Sequence, residues 1–300
     1  MGRWWRAEAV DKILRYRLGG FLGNRMFELM LAHSLARRLP GLLITGDPLP
    51  DWGIQYRRRP LPQRYVKIAG HRIDVGRLRY LLDAGLIDGI ETSALGCRME
   101  LLEPVERVRA IFHAPDLAGY GADTLVINVR AAEILGPRHK DYRPLPISFF
   151  ARLIAETGLR PVFLGQIGDD TYSHAIRARF PQAECVPSRG PMQDFAVLRA
   201  SAHLCIGIST FSWLAAWLSH AQTIHLPISG MLHPRQRAEV DLLPVADPRY
   251  RFHLFPHGDW MGTADELIEV IEGQEAGREV TRDAALALAQ TNIVLSAPSA

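Results

Sequence analysis

Residues 204–218 read Leu-Cys-Ile-Gly-Ile-Ser-Thr-Phe-Ser-Trp-Leu-Ala-Ala-Trp-Leu. The run Leu204 to Gly207 has the unbroken apolar character of a buried strand. Ser209, Thr210 and Ser212 then interrupt it, and Phe211 to Leu218 has helical apolar spacing, with Trp213 and Trp217 one turn apart as core residues. Strand, hydroxyl-rich turn and buried helix form the unit from which open parallel sheets are assembled.

The same unit recurs on either side. Upstream, Leu125 to Val129 predicts a strand, Phe149 to Thr157 a helix with Ser148 as its N-cap and Gly158 as its stop, and Pro161 to Leu164 a buried strand. Tyr172 to Phe180 predicts a helix, Glu184 to Val186 a strand and Gln193 to Ala200 a helix, and Ala221 to Leu226 adds one more strand downstream. This β-α-β-α order predicts an α/β fold with a parallel, doubly wound sheet. Residues 227–260 are proline-rich and read as irregular, and Thr263 to Ala287 as an amphipathic helical tail interrupted by Gly273 and Gly277.

The N-terminal part opens similarly. A short strand, Tyr16 to Gly20, runs into Gly19-Gly20-Phe21-Leu22-Gly23-Asn24 and a helix from Met26 to Leu39. Strands at Leu42 to Thr45 and Val66 to Ile73 and a helix at Leu78 to Gly85 follow. The spacing predicts three parts: an N-terminal domain at residues 1–120, a C-terminal domain at 121–262 and a helical tail at 263–300.

The 300 residues, 48% of them hydrophobic, suffice for two cores. A formal charge of +3, from 35 Lys and Arg against 32 Asp and Glu, excludes a concentrated basic face for nucleic acid and suits an anionic small substrate or peripheral contact with an anionic membrane. Cys97, Cys185 and Cys205, odd in number and widely spaced, predict no disulfide framework, and hence a reducing, cytoplasmic setting. Met1 to Arg17, with Trp4 and Trp5 among charges, lacks a signal-peptide core, and 204–218 is too short and broken to span a bilayer.

Three motifs carry candidate chemistry. The glycines of Gly19-Gly20-Phe21-Leu22-Gly23-Asn24-Arg25-Met26-Phe27 allow positive φ and close backbone approach, and the helix after them offers unpaired N–H groups to an anion; a tight strand-to-helix turn explains them equally well. The motif is neither Gly-x-Gly-x-x-Gly nor a P-loop. Asn128-Val129-Arg130-Ala131-Ala132-Glu133 leaves the carboxyl end of a strand, where a guanidinium can fork onto phosphate oxygens or pair with a neighbouring acid. Ser209, Thr210, Phe211 and Ser212 lie at a helix start. Three hydroxyls exceed what capping needs, so at least one is expected to bind a ligand.

Together these residues resemble bacterial α-1,2-fucosyltransferases. The first motif is similar to their Gly-Gly-Leu-Gly-Asn-Gln-Met-Phe opening, and Gly207 to Trp217 to their Asn-Ser-Ser/Thr-Phe-Ser-Trp-Trp segment. Between them, 128–133 matches in part the His-x-Arg-x-x-Asp motif that the family shares with α-1,6- and protein O-fucosyltransferases. Asn128 stands for the histidine, and Ala131 stands where a second arginine is often found. The resemblance implies a GT-B-type architecture, two Rossmann-like domains with parallel sheets facing across a cleft, the donor in the C-terminal one.

The resemblance further implies GDP-fucose or a related nucleotide-sugar as donor and a glycan or lipid-linked sugar as acceptor. Gly20, Gly23, Asn24, Asn128, Arg130, Asp194, Ser209, Thr210, Phe211 and Ser212 are its donor-binding candidates, with Arg130 and Glu133 in catalysis. Asp194 is placed either on a guanine edge or as a helix cap, and Glu133 either as base or as a brace for Arg130, with Asp141 the other nearby acid. Arg138, His139, Lys140 and Arg143 form a basic loop that closes over phosphate or is merely solvated. Trp52 and Tyr56 stack on an acceptor sugar or cover the core. No Asp-x-Asp is present, Asp169 and Asp170 are adjacent, and Pro256 breaks the His253/His257 spacing, so no metal is called for. Another nucleotide-sugar donor, or a silent nucleotide- or glycan-binding paralogue, fits the same residues.

Overall fold

The computed structural model describes residues 11–113, 115, 117–137 and 139–294; Trp4, Trp5 and Arg138 lie outside them. The chain forms two compact units, Met1–Pro104 and Val105–Ala300. The division thus falls before helix α3 (Val105–Ile111) rather than near Tyr120, because Arg109 of α3 donates to the carbonyls of Leu218 and Ser219 deep in the second unit.

The first unit contains β1 (Lys12–Tyr16), α1 (Leu22–Arg38), β2 (Leu42–Gly46), β3 (Tyr65–Ile68), α2 (Val75–Asp83) and β4 (Gly89–Thr92). Its four strands pair in parallel in the order β2-β1-β4-β3. β1 sits one turn earlier than its sequence reading, and Gly19-Gly20 forms the turn after it. β4 escapes a sequence reading because Gly89-Ile90-Glu91-Thr92 is short and mixed in character.

The second unit adds β5 (Thr124–Val129), α4 (Ile147–Thr157), β6 (Arg160–Gly165), α5 (Thr171–Arg179), β7 (Glu184–Pro187), α6 (Pro191–Ala200), β8 (His203–Cys205), α7 (Thr210–Trp217), β9 (Thr223–Ile228), β10 (Tyr250–Leu254), α8 (Ala264–Glu272), β11 (Arg278–Val280) and α9 (Arg282–Val294). The sheet order is β11-β10-β9-β8-β5-β6-β7, parallel except for β11. Apart from that edge strand, this is the strand order of the Rossmann fold. β5 is buried along its whole length, as a strand covered on both faces must be.

The order reverses between β5 and β8, and the crevice outside their carboxyl ends is where open α/β sheets bind ligands. Both units are therefore α/β with parallel sheets, as expected, and among the described residues no helix is long and apolar enough to cross a membrane.

Three expectations change. The irregular stretch 227–260 contains β10, and the helical tail contributes β11 to the sheet, so its described part belongs to the second unit. Ser148 does not cap α4. Pro146 occupies the N-cap position, and the Ser148 hydroxyl donates to the Glu275 carbonyl at 2.6 Å, tying the tail to the helix.

In the core, His225 of β9 and His253 of β10 stack with Nδ1 of the first 2.9 Å from Nε2 of the second, while Arg152 of α4 lies 3.0 Å from His253 Nδ1. A guanidinium only donates, so His253 Nδ1 must accept, its proton sits on Nε2, and it donates onward to His225. Protonating either ring would break this chain. Burial first, with neighbouring positive and imidazole groups adding to it, lowers His225 to about 4 and His253 to about 3.

Folded-state values below the unfolded 6.5 mean that the unfolded chain binds more protons between about pH 4 and 6.5. Stability should therefore fall as pH drops through that window, by roughly 1.4 kcal/mol per pH unit for each histidine. Urea unfolding at pH 7, 5.5 and 4.5 checks this: His225→Gln should show a shallower slope than the parent, and equal slopes would contradict the histidine chain.

Candidate functional site

Arg130 is the first residue beyond β5, at the reversal of strand order. Its Nη2 donates to Glu133 Oε1 at 2.8 Å, and Glu133 Oε2 accepts from Gln166 Nε2 at 3.0 Å; Gln166 in turn accepts the Ala131 N–H at 3.0 Å. The guanidinium also lies 5.0 Å above the centre of the Tyr142 ring. Glu133 thus braces Arg130, and both its oxygens are engaged. The following Ala132 holds φ +50°, the left-handed conformation, which costs a non-glycine residue of order 1 kcal/mol and marks the bend that sends the chain away from the strand end.

Gly207, just past β8, is required by the approach of β5. A Cβ there would lie 3.1 Å from the Asn128 carbonyl and 3.5 Å from Arg130 Cβ. The Asn128 side-chain amide donates to the Leu164 carbonyl at 3.2 Å, so it bridges β5 and β6 instead of reaching outward. Asn128, Arg130, Gly207 and Ile208 line a slit of about 10 Å3 together with Arg143. The Nε atoms of Arg130 and Arg143 are both buried there without a hydrogen-bond partner. The slit holds no more than about one water, so a larger ligand meets these arginines at its rim, where the Arg130 side chain is 21% exposed.

Beside the slit begins α7. Ser209 is its N-cap, accepting the Ser212 N–H at 3.0 Å; the Ser212 hydroxyl donates to the Gly207 carbonyl at 2.8 Å and lies 2.7 Å from Ser209 Oγ. With the Ser212 proton given to Gly207, the Ser209 proton goes to Ser212. Both serines therefore rigidify the start of α7, which follows β8 at the strand-order reversal. Thr210 is the hydroxyl outside that serine pair.

Asp194 is engaged in its own turn. Its carboxylate accepts from Ser188 Oγ at 2.5 Å and from the Arg189 N–H at 3.1 Å, closing the turn between β7 and α6. Asp141 is engaged as well, by Arg237 at 2.7 Å and by Gln236. His253 is the core residue described above, and His257 stacks on His233. Among the described residues no group of three His, Cys, Asp or Glu side chains is placed to hold a metal ion.

Gly20, Gly23 and Asn24 belong to the first unit, at the carboxyl end of β1, where its strand order also reverses. Gly20 has φ +67°, and a Cβ on it would meet Asn24 Nδ2 at 2.8 Å. Two amides of this turn are already occupied: Gly19 N–H donates to Glu28 at 2.7 Å and Leu18 N–H to Asp47 at 3.0 Å. Glu28 is a residue the sequence reading passed over, although an acid on the apolar face of α1 was a visible signal. Burial, opposed by the Gly19 N–H and Arg25 and assisted by Asp47, raises its carboxyl to about 7. Nearby, Trp52 is buried and the Tyr56 hydroxyl bonds His33 Nε2 at 2.7 Å, so both pack into the first unit.

No family model and no curated protein matches the chain. Among solved structures it is similar to a glycosyl transferase family 9 protein from Veillonella parvula (10% identity, 96% of this chain and 99% of that one, TM-score 0.46). It is also similar to the Escherichia coli ADP-heptose LPS heptosyltransferase II (15%, 95% and 99%, 0.43) and to an Arabidopsis thaliana FUT1 mutant in complex with GDP (12%, 73% and 71%, 0.45). Likeness at these scores says nothing of donor or acceptor, and the fold stands on the strand order itself.

A carboxyl raised to about 7 in the folded state binds protons that the unfolded chain has released, so its contribution is present at pH 4.5 and is lost as pH rises through about 7. Glu28→Gln keeps an acceptor for Gly19 without the charge. Its melting temperature relative to the parent should therefore rise between pH 5.5 and pH 8.5; an offset that does not change with pH would refute the assignment.

Proposed function

We propose that the chain is a glycosyltransferase that binds a nucleoside diphosphate-sugar in its second unit and transfers the sugar with inversion, without a metal, to a hydroxyl of a glycan or lipid-linked sugar. The observation that carries this reading is Arg130, braced by Glu133 and Tyr142 beside the α7 N-terminus at the reversal of strand order. A fixed guanidinium and helix N–H groups are what a leaving diphosphate needs, because negative charge grows there as the bond to the sugar breaks. The motif resemblance points to GDP-fucose as the donor.

In the proposed step the acceptor oxygen attacks the anomeric carbon and the bond from that carbon to the diphosphate oxygen breaks. Its electron pair goes to the diphosphate, beside Arg130 and α7, and the hydroxyl proton passes to a base. Glu133 is better suited to bracing than to serving as that base, since Arg130 and Gln166 engage both of its oxygens.

Calorimetric titration without added metal, using GDP, GDP-fucose and UDP, tests the reading. GDP and GDP-fucose should bind, UDP more weakly, and Arg130→Ala should weaken GDP about 10- to 100-fold, the worth of lost charge-assisted hydrogen bonds. Absence of guanine-nucleotide binding would refute the fucosyl donor. Binding without donor hydrolysis or transfer would favour a silent paralogue.

A further inference from the structure

We propose that Arg143 is the second guanidinium of the donor site and reads the second phosphate of the diphosphate; this rests on the donor site proposed above. Arg143 lines the same slit as Arg130, Asn128 and Gly207, and its Nε, like that of Arg130, is buried without a hydrogen-bond partner. Two buried N–H donors left unmet on opposite arginines are costly unless an acceptor meets them. The slit between them admits about one water, so a diphosphate meets the two half-buried arginines at its rim.

The loop that bears Arg143 is held in place, although His139 and Lys140 within it are exposed. The Asp141 carbonyl accepts the Met231 N–H at 2.9 Å, and the Lys140 carbonyl accepts the Trp260 N–H at 2.9 Å. The Asp141 carboxylate pairs with Arg237, and Gly230, at φ +52°, is needed because a Cβ there would collide with the Asp141 carbonyl. Tyr142, between Asp141 and Arg143, supplies the ring under Arg130. One short segment therefore supports the first arginine and presents the second. Glu266 lies close enough to feel the Arg143 charge, but its carboxylate already accepts the N–H groups of Met261 and Thr263.

The test compares GDP with GMP on the parent, Arg143→Ala and Arg143→Lys. If Arg143 holds the second phosphate, Arg143→Ala should weaken GDP about 10- to 100-fold and GMP by less than about threefold, so the preference for GDP collapses. Arg143→Lys, which keeps the charge and loses the fork, should fall between, and it decides the matter if the alanine variant does not fold. A GDP-to-GMP ratio unchanged in Arg143→Lys and Arg143→Ala, with Arg130→Ala still impaired, would overturn the role of Arg143 and leave the donor site standing. Equal losses for both nucleotides would also overturn it. A parent that binds neither would remove the donor site itself.

Discussion

Helix α7 is the element on which the second unit depends. It is buried from Thr210 to Trp217 apart from the half-buried Phe211, and a buried helix must have its terminal N–H and carbonyl groups met by the chain or by a ligand. At its carboxyl end three arginines converge. Arg249 donates to the carbonyls of Trp217 and Ser219, Arg109 to those of Leu218 and Ser219, and Arg199 to that of Leu218. They arrive from α3, from α6 and from the turn before β10, so the helix end gathers three separate stretches of chain. Cations at that end also complement the helix dipole. The arrangement has a cost, since burial and the neighbouring Arg109 lower the affinity of Arg199 for its proton. The other end is capped locally, by Ser209 on the Ser212 N–H.

The two strand-order reversals differ in how their turns are occupied. In the first unit, carboxylates of the chain itself, Glu28 and Asp47, sit on the Gly19 and Leu18 amides. An incoming phosphate would have to displace a carboxyl that is already half-protonated near neutrality. In the second unit the side chain that takes an amide at the start of α7 is the neutral Ser209, accepting from the Ser212 N–H. The acid beside Arg130, itself held by Gln166, pairs with Nη2 of the guanidinium and leaves its buried Nε without a hydrogen-bond partner.

Much of this was legible in the sequence. Leu125 to Val129, Pro161 to Leu164 and 204–218 announce themselves because central parallel strands are apolar on both faces, and helices between them follow from spacing and from stops such as Gly158. What stayed hidden is decided by partners distant in the chain. β10 alternates Tyr250, Arg251 and Phe252 inside a proline-rich stretch, and it becomes a strand by pairing with β9. β11 is three residues whose register with β10 no local pattern could supply. Ser148 has the look of a cap, but Glu275, far along the chain, claims its hydroxyl.

The site shows the same division between type and partner. The sequence marks Arg130 and the hydroxyl turn as polar residues in the right place, and the structure sets them side by side. Residue type could not show that Ser209 and Ser212 spend their protons on each other and on Gly207, so that the helix start offers backbone amides more than hydroxyls. Nor could it separate Arg143 from the solvated basic residues around it, since burial of one Nε depends on a loop pinned by Met231, Trp260 and Arg237. The proposed recognition of a diphosphate rests less on the count of polar side chains than on which donors the fold has left unanswered. Those donors are the Nε atoms of Arg130 and Arg143, in the slit beside Gly207.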